Sequence, residues 1–196
     1  MTALHHGDNR TVKIGKMIWA VCVMGLAIAT PMQSLSAQAE TWTLAPADNG
    51  AFSVETPCTV SEIAAFAPTA NQAFEKLGFT TGSLIACQKG PLLIVAGITE
   101  VDDLPEGVRS YFDDLAEGMP KGDGMAGKPS VTTFAGRRAI VNRQEKNGFL
   151  AQTTVVELGP KRLVMLMCAF ENTNLSLAAQ GQTLDRFYAS FKVTAQ

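Results

Sequence analysis

Apolar and polar residues along this chain of 196 residues fall into a sequence of strand-like alternations and helix-like spacings. After a short start at 41–44, Asn49-Gly50 marks a turn, and 52–56 alternates as a first strand. The stretch 61–77 is alanine-rich with Pro68 at its middle. Proline removes a helical N–H and crowds the preceding turn, so two short pieces are expected there rather than one helix. Residues 80–87 and 92–99 predict two strands joined across Lys89-Gly90-Pro91 as a hairpin. Val108, Tyr111, Phe112, Leu115 and Met119 recur at spacings of three and four. That predicts a helix over 105–117, with Pro105 at its start and Gly118 past its end.

The segment 118–129 is too rich in glycine to hold regular structure and reads as a surface loop. Strands follow at 131–134 and 137–145, and Asn147-Gly148 signals a type I′ turn into a strand at 149–158. Gly159-Pro160 turns the chain again into 163–170, the most apolar strand. Leu177, Leu184, Phe187 and Phe191 then predict a closing helix over 175–190. Strands 92–98 and 163–170 carry apolar residues on both faces and must be covered twice. The expected fold class is therefore α+β: a mostly antiparallel sheet covered by helices on both faces.

Charge alters the reading of the first 39 residues. Arg10, Lys13 and Lys16 precede Met17–Ala29, which holds no charge, and Ala37-Gln38-Ala39 offers the small side chains of a signal peptidase site. The expectation is a signal peptide over 1–39, cleaved between Ala39 and Glu40, leaving a single exported domain over 40–196 that is periplasmic or secreted. An uncleaved anchor is the alternative. The strongly apolar part is short of the roughly 20 residues that cross a bilayer.

The segment before Glu40 holds three of the 16 basic residues and one of the 18 acidic residues, so 13 and 17 remain and the net charge is −4. No cationic cluster suggests nucleic acid as a partner. Both histidines, His5 and His6, lie in the segment to be removed. Histidine-dependent nucleophilic catalysis and histidine-bearing zinc sites are thereby excluded. Three cysteines remain. Cys58 and Cys87 fall near strand ends and are expected to form a disulfide, whereas Cys168 lies inside an apolar run and is expected to be a buried free thiol.

Phe52-Ser53-Val54-Glu55-Thr56-Pro57 near the mature start, and Phe187-Tyr188-Ala189-Ser190-Phe191 near the end, resemble small exported bacterial proteins with a PsbP/Mog1-like α/β/α sandwich. The resemblance spans most of 50–193. It implies a fold used for protein contacts: PsbP-type proteins are accessory subunits of photosystem II, and Mog1 binds a small GTPase. No functional residue of either family matches a position here.

Four groupings offer candidate chemistry. Gly122-x-x-x-x-Gly127-Lys128 has the skeleton of a phosphate-binding loop, but Pro129 stands where a Mg²⁺-binding hydroxyl belongs, so no nucleotide is expected. Met165, Met167 and Cys168 are soft ligands for copper, yet alternation sends the methionines to one face and the thiol to the other, which reads as core. Asp102, Asp103, Glu106, Asp113, Asp114 and Glu117 form an acidic cluster that reads as a solvated helix face. Arg137, Arg138, Arg143 and Lys146 place cations on one strand, Arg137 and Arg143 on one side and Arg138 and Lys146 on the other. Such charges discourage edge pairing.

These readings predict a non-enzymatic exported domain without catalytic residues, metal or cofactor, acting as an interaction or accessory module with an unidentified envelope protein. The rival is a carboxylate-dependent enzyme or small-ligand binder that uses helix 105–117 and loop 118–127.

Overall fold

The computed structural model describes residues 41–76, 81–101, 103–104, 107, 109–117, 129–171 and 173–194. The expected signal peptide with its Ala37, Ala39 and Glu40 cleavage site, and the glycine-rich loop 118–127, lie outside the described residues. The strands are β1 (Thr43–Pro46), β2 (Phe52–Thr56), β3 (Thr81–Lys89), β4 (Leu92–Glu100), β5 (Ser130–Phe134), β6 (Arg137–Lys146), β7 (Phe149–Gly159), β8 (Arg162–Phe170) and β9 (Lys192–Val193). The helices are α1 (Val60–Lys76), α2 (Tyr111–Glu117) and α3 (Leu177–Ser190).

The chain is α+β, and every described strand pairing is antiparallel. The strands form two sheets where one was expected: six strands in the order β3-β4-β8-β7-β6-β5, and three in the order β1-β2-β9. Strand, more than helix, dominates the architecture. The small sheet joins the first and last described strands, with Phe52 opposite Val193.

Alternation along the central strands divides the core in two. Ile94, Ala96 and Ile98 of β4 and Val164, Leu166 and Cys168 of β8 meet Phe52 and Val54 of β2 and Leu184, Phe187 and Tyr188 of α3. The small sheet thus shares with α3 the covering of that face. On the other face, Val95, Met165 and Met167 meet Ala70 of α1 and Tyr111, Phe112 and Leu115 of α2. Each fully buried large side chain in these clusters contributes roughly 1.5–3 kcal/mol relative to exposure.

Both early helices depart from expectation. Pro68 lies inside one continuous helix of 17 residues. Two anchors outweigh the lost hydrogen bond. At the start, the Thr59 N–H donates to Glu62 Oε2 at 2.7 Å and the Glu62 N–H donates back to Thr59 Oγ1 at 3.3 Å, a reciprocal cap. Further along, Phe66 and Ala70 pack on the sheet, and tertiary packing supplies most of a helix's stability. The second helix begins at Tyr111, well after Pro105. Gly107 has φ +83°, outside helical space, and Ser110 Oγ accepts from the Asp113 N–H at 3.1 Å, capping a helix of seven residues.

Cys58 and Cys87 are joined, with sulfurs 2.04 Å apart, and Cys168 is free and buried. Register explains the choice. Cys87 sits opposite Ile94, and Ile94 opposite Cys168, so Cys168 lies two strands from Cys87. At about 4.8 Å per strand that separation exceeds the roughly 7 Å Cα limit for a disulfide.

Gln180 locks α3 onto the β6–β7 hairpin. Its Oε1 accepts from the Leu150 N–H at 2.8 Å, and its Nε2 donates to the carbonyls of Gly148 and Leu175, each at 2.9 Å. One turn of helix must come close for this to happen. At the next residue, Gly181, an added Cβ would sit 3.4 Å from Arg143 Nη2.

Candidate functional site

Strand alternation directs Arg138 toward α2, where its guanidinium lies 4.4 Å from the centre of the Phe112 ring. Its Nη2 donates to Asp113 Oδ1, and its Nη1 donates to Glu157 Oε2 at 3.2 Å. Glu157 belongs to β7, the strand beside β6, so one cation ties two strands and a helix together. The Arg138 hydrogen bond, aided by the Ser110 hydroxyl, holds the Asp113 carboxyl below its ordinary range, and Asp113 in turn raises Arg138. Asp113 is a fixed anion. It is poorly suited to pass a proton near neutral pH.

Its neighbour is perturbed the other way. Burial pushes the Asp114 carboxyl up, with a smaller push from Glu117. Burial, then Asp114, raises the Tyr111 phenol to about 12. Glu117 itself is exposed. Of the remaining expected acidic cluster, Asp103 stands 3.6 Å from Lys161 at the surface, while Asp102 and Glu106 lie outside the described residues. The described carboxylates are therefore divided between cations, a partly buried site and solvent.

The other predicted residues are dispersed in the same way. Met165 and Met167 face α1 and α2 while Cys168 faces α3, so the sheet separates the three sulfurs. Burial pushes the Cys168 thiol up, which leaves it without nucleophilic thiolate. Arg143 reaches Asp185 of α3 at 3.4 Å, and Arg137 Nη1 donates to the Leu158 carbonyl at 3.4 Å. These cations do not protect an edge, because β5 lies outside β6. Among the described residues no three of His, Cys, Asp and Glu gather to hold a metal, and no helix is long and apolar enough to cross a membrane.

Two features were not foreseen from sequence. The first is the place of β5, expected as a strand over 131–134 but not as an edge. It forms one edge of the six-stranded sheet and contains no charge, and Ser130, Val131, Thr132 and Thr133 are exposed. The other described edges are short or carry a blocking residue: β1 has four residues ending in Pro46, β9 has two, and β3 ends in Lys89 and is tied to α1 through Cys58. Ser130-Val131-Thr132-Thr133-Phe134, β-branched and uncharged, was the available signal.

The second is Asn142. It is 2% exposed, and among the described residues neither its Oδ1 nor its Nδ2 has a hydrogen-bond partner. It stands in a cross-strand row with Thr153, Met167, Val95 and Ala86 on the face that packs against α1 and α2. Buried polar groups in folded proteins nearly always have a partner, which sets this carboxamide apart.

No protein-family model matches the chain, and a search of curated proteins finds no match.

Proposed function

We propose that this chain is an exported accessory domain of the cell envelope that works by binding an extended segment of another protein along β5. The observation that carries this reading is the uncharged, solvent-facing edge. An added strand would satisfy the outward backbone groups of β5, and the alternate side chains Val131 and Thr133 would supply selectivity. Supporting it, the acidic residues that a carboxylate enzyme would need are dispersed, with Asp113 already bound to Arg138. The disulfide accords with an oxidising compartment, as does the apolar segment before Ala37-Gln38-Ala39. On this reading the domain starts at Glu40, and its helices and sheets are arranged as a PsbP/Mog1-like sandwich.

Site-specific photocrosslinking in intact cells tests the proposal. A photoreactive residue at Thr132 should capture an envelope protein, whereas the same residue at Gln72 on the exposed side of α1 should not. Equal capture from both positions, or none from Thr132, would overturn the edge as the contact surface. Mass spectrometry of the recovered protein should show Glu40 as its first residue.

A further inference from the structure

We infer that Asn142 anchors a second binding site, on the α1/α2 face of the six-stranded sheet, for a small neutral molecule that carries an amide group on an otherwise apolar body. The inference is independent of strand pairing at β5.

The starting point is the cost of this side chain. A buried carboxamide with both polar atoms unpaired is destabilising, since it has lost its hydration and gained nothing. The same protein pairs its other deeply buried carboxamide completely: Gln180 makes three hydrogen bonds. The Asn142 amide therefore does not follow from a general tolerance of unpaired groups in this fold.

Its surroundings define what would satisfy it. Within the row the neighbours of Asn142 are Thr153 and then Met167, each 6% exposed, and Ile140 and Val155 of the adjacent row are 4% and 5% exposed, so apart from the Thr153 hydroxyl the walls are apolar. The next row toward the β6–β7 turn reads Gln144, Ala151, Ala169, Leu93, and these residues are partly exposed. Side chains thus step from Val155 and Met165 down to Ala151 and Ala169 on the side where the face meets solvent. β5 ends its pairing opposite Val141, so among the described residues no strand pairs with the outer edge of β6 from Asn142 onward. Asn142 itself is enclosed, at 2% exposed, so a ligand would reach it from that side only as the covering side chains part.

Chemistry then selects the ligand class. Nδ2 donates and Oδ1 accepts in one plane, so the complement is an acceptor beside a donor, the edge of another amide. A charged ligand fits poorly. Of the two cations four residues away along β6 on this face, Arg138 is already held by Asp113 and Glu157 and Lys146 is exposed to solvent, and an unpaired charge costs more to bury than a neutral polar group. Methionine and valine walls favour a ring or chain as the remainder of the molecule.

Benzamide is the probe, and acetophenone, with the same ring and an acceptor but no N–H donor, is the control. Titrated into the purified ¹⁵N-labelled protein, benzamide should shift the Asn142 side-chain NH₂ resonances saturably, and acetophenone should not. Asn142→Leu should weaken benzamide at least tenfold while the protein stays folded. Thr153→Val, in the same row, should keep the fold and change affinity less. Equal shifts with both probes, no saturation, or unchanged affinity in Asn142→Leu would overturn the site. So would a high-resolution structure in which one ordered water meets the carboxamide and benzamide does not displace it.

Discussion

Gln180 and Asn142 are carboxamides buried to nearly the same degree on opposite sides of one sheet. Around Gln180 every polar atom is matched, and the α3 side also holds the disulfide, the stacked Phe134–Phe191 pair and the Tyr188 hydroxyl donating to the Gln152 carbonyl. Around Asn142 the packing is apolar and the amide is left over, while the α1/α2 side fastens its rim with exposed ion pairs such as Arg138–Asp113. Burial alone therefore does not make a polar residue structural. Its partners do, and here Gln180 has them while Asn142 does not.

The largest expected effect comes from the matched side. Replacing Cys58 and Cys87 together by serine should lower stability by about 3–4 kcal/mol in urea unfolding, from the entropy of a loop spanning 29 residues of separation. Cys168 should resist thiol reagents until the protein unfolds, and labelling at the native rate of an exposed thiol would contradict its burial. Gln180→Leu should cost about 2–3 kcal/mol, because it strands the buried Leu150 N–H and removes the partner of two part-buried carbonyls. Asn142→Leu should have the opposite sign, a gain of about 1 kcal/mol. If both carboxamide variants destabilise equally, the contrast between the two sides fails. Measured together, the two should add, since they share no partner.

The smallest effects belong to the ion-paired rim and depend on pH. Arg138 lowers the Asp113 carboxyl, so its contribution is present above the ordinary carboxylate range and is lost as pH falls through the lowered value. Glu62 behaves likewise: its hydrogen bond from the Thr59 N–H, joined by Lys89, holds it at about 2, so stability should fall between about pH 4.5 and 2. Asp114 runs the other way. Burial raises it, so ionisation costs stability as pH rises through the carboxylate range, and Asp114→Asn should gain about 0.3 kcal/mol at neutral pH after screening by solvent. Acid titrations of Asp113→Asn and Asp114→Asn should diverge from the parent in opposite directions.

Local rules made most strands legible. Asn147 and Gly148 have φ of +54° and +79°, the left-handed pair that their identities announce. The turn at Ala135-Gly136 falls in the expected gap between 131–134 and 137–145, but its left-handed conformation had no such signal, because alanine at φ +49° is an uncommon occupant of that region. The start of α1 is written in Thr59-x-x-Glu62, a capping pair, whereas the break that Pro68 suggests is overridden by the packing of Phe66 and Ala70, which depends on residues far away in sequence. Pairing of β2 with β9 leaves no local trace, since it joins opposite ends of the sequence. Asn142 was obscured for a related reason. One polar residue in Ala139-Ile140-Val141-Asn142-Arg143 looks like the start of a solvated stretch, and only the neighbouring strands and helices show that it is enclosed.

The pairing of Phe52 with Val193 also has a consequence in time. A chain emerging in sequence order presents Phe52 long before Val193, so the three-stranded sheet has no complete partner set until β9 has emerged. Deleting Lys192 and Val193 should leave an early strand without its mate and slow the closure of that sheet far more than the size of the deletion suggests. An early strand is held by one that can join it only much later.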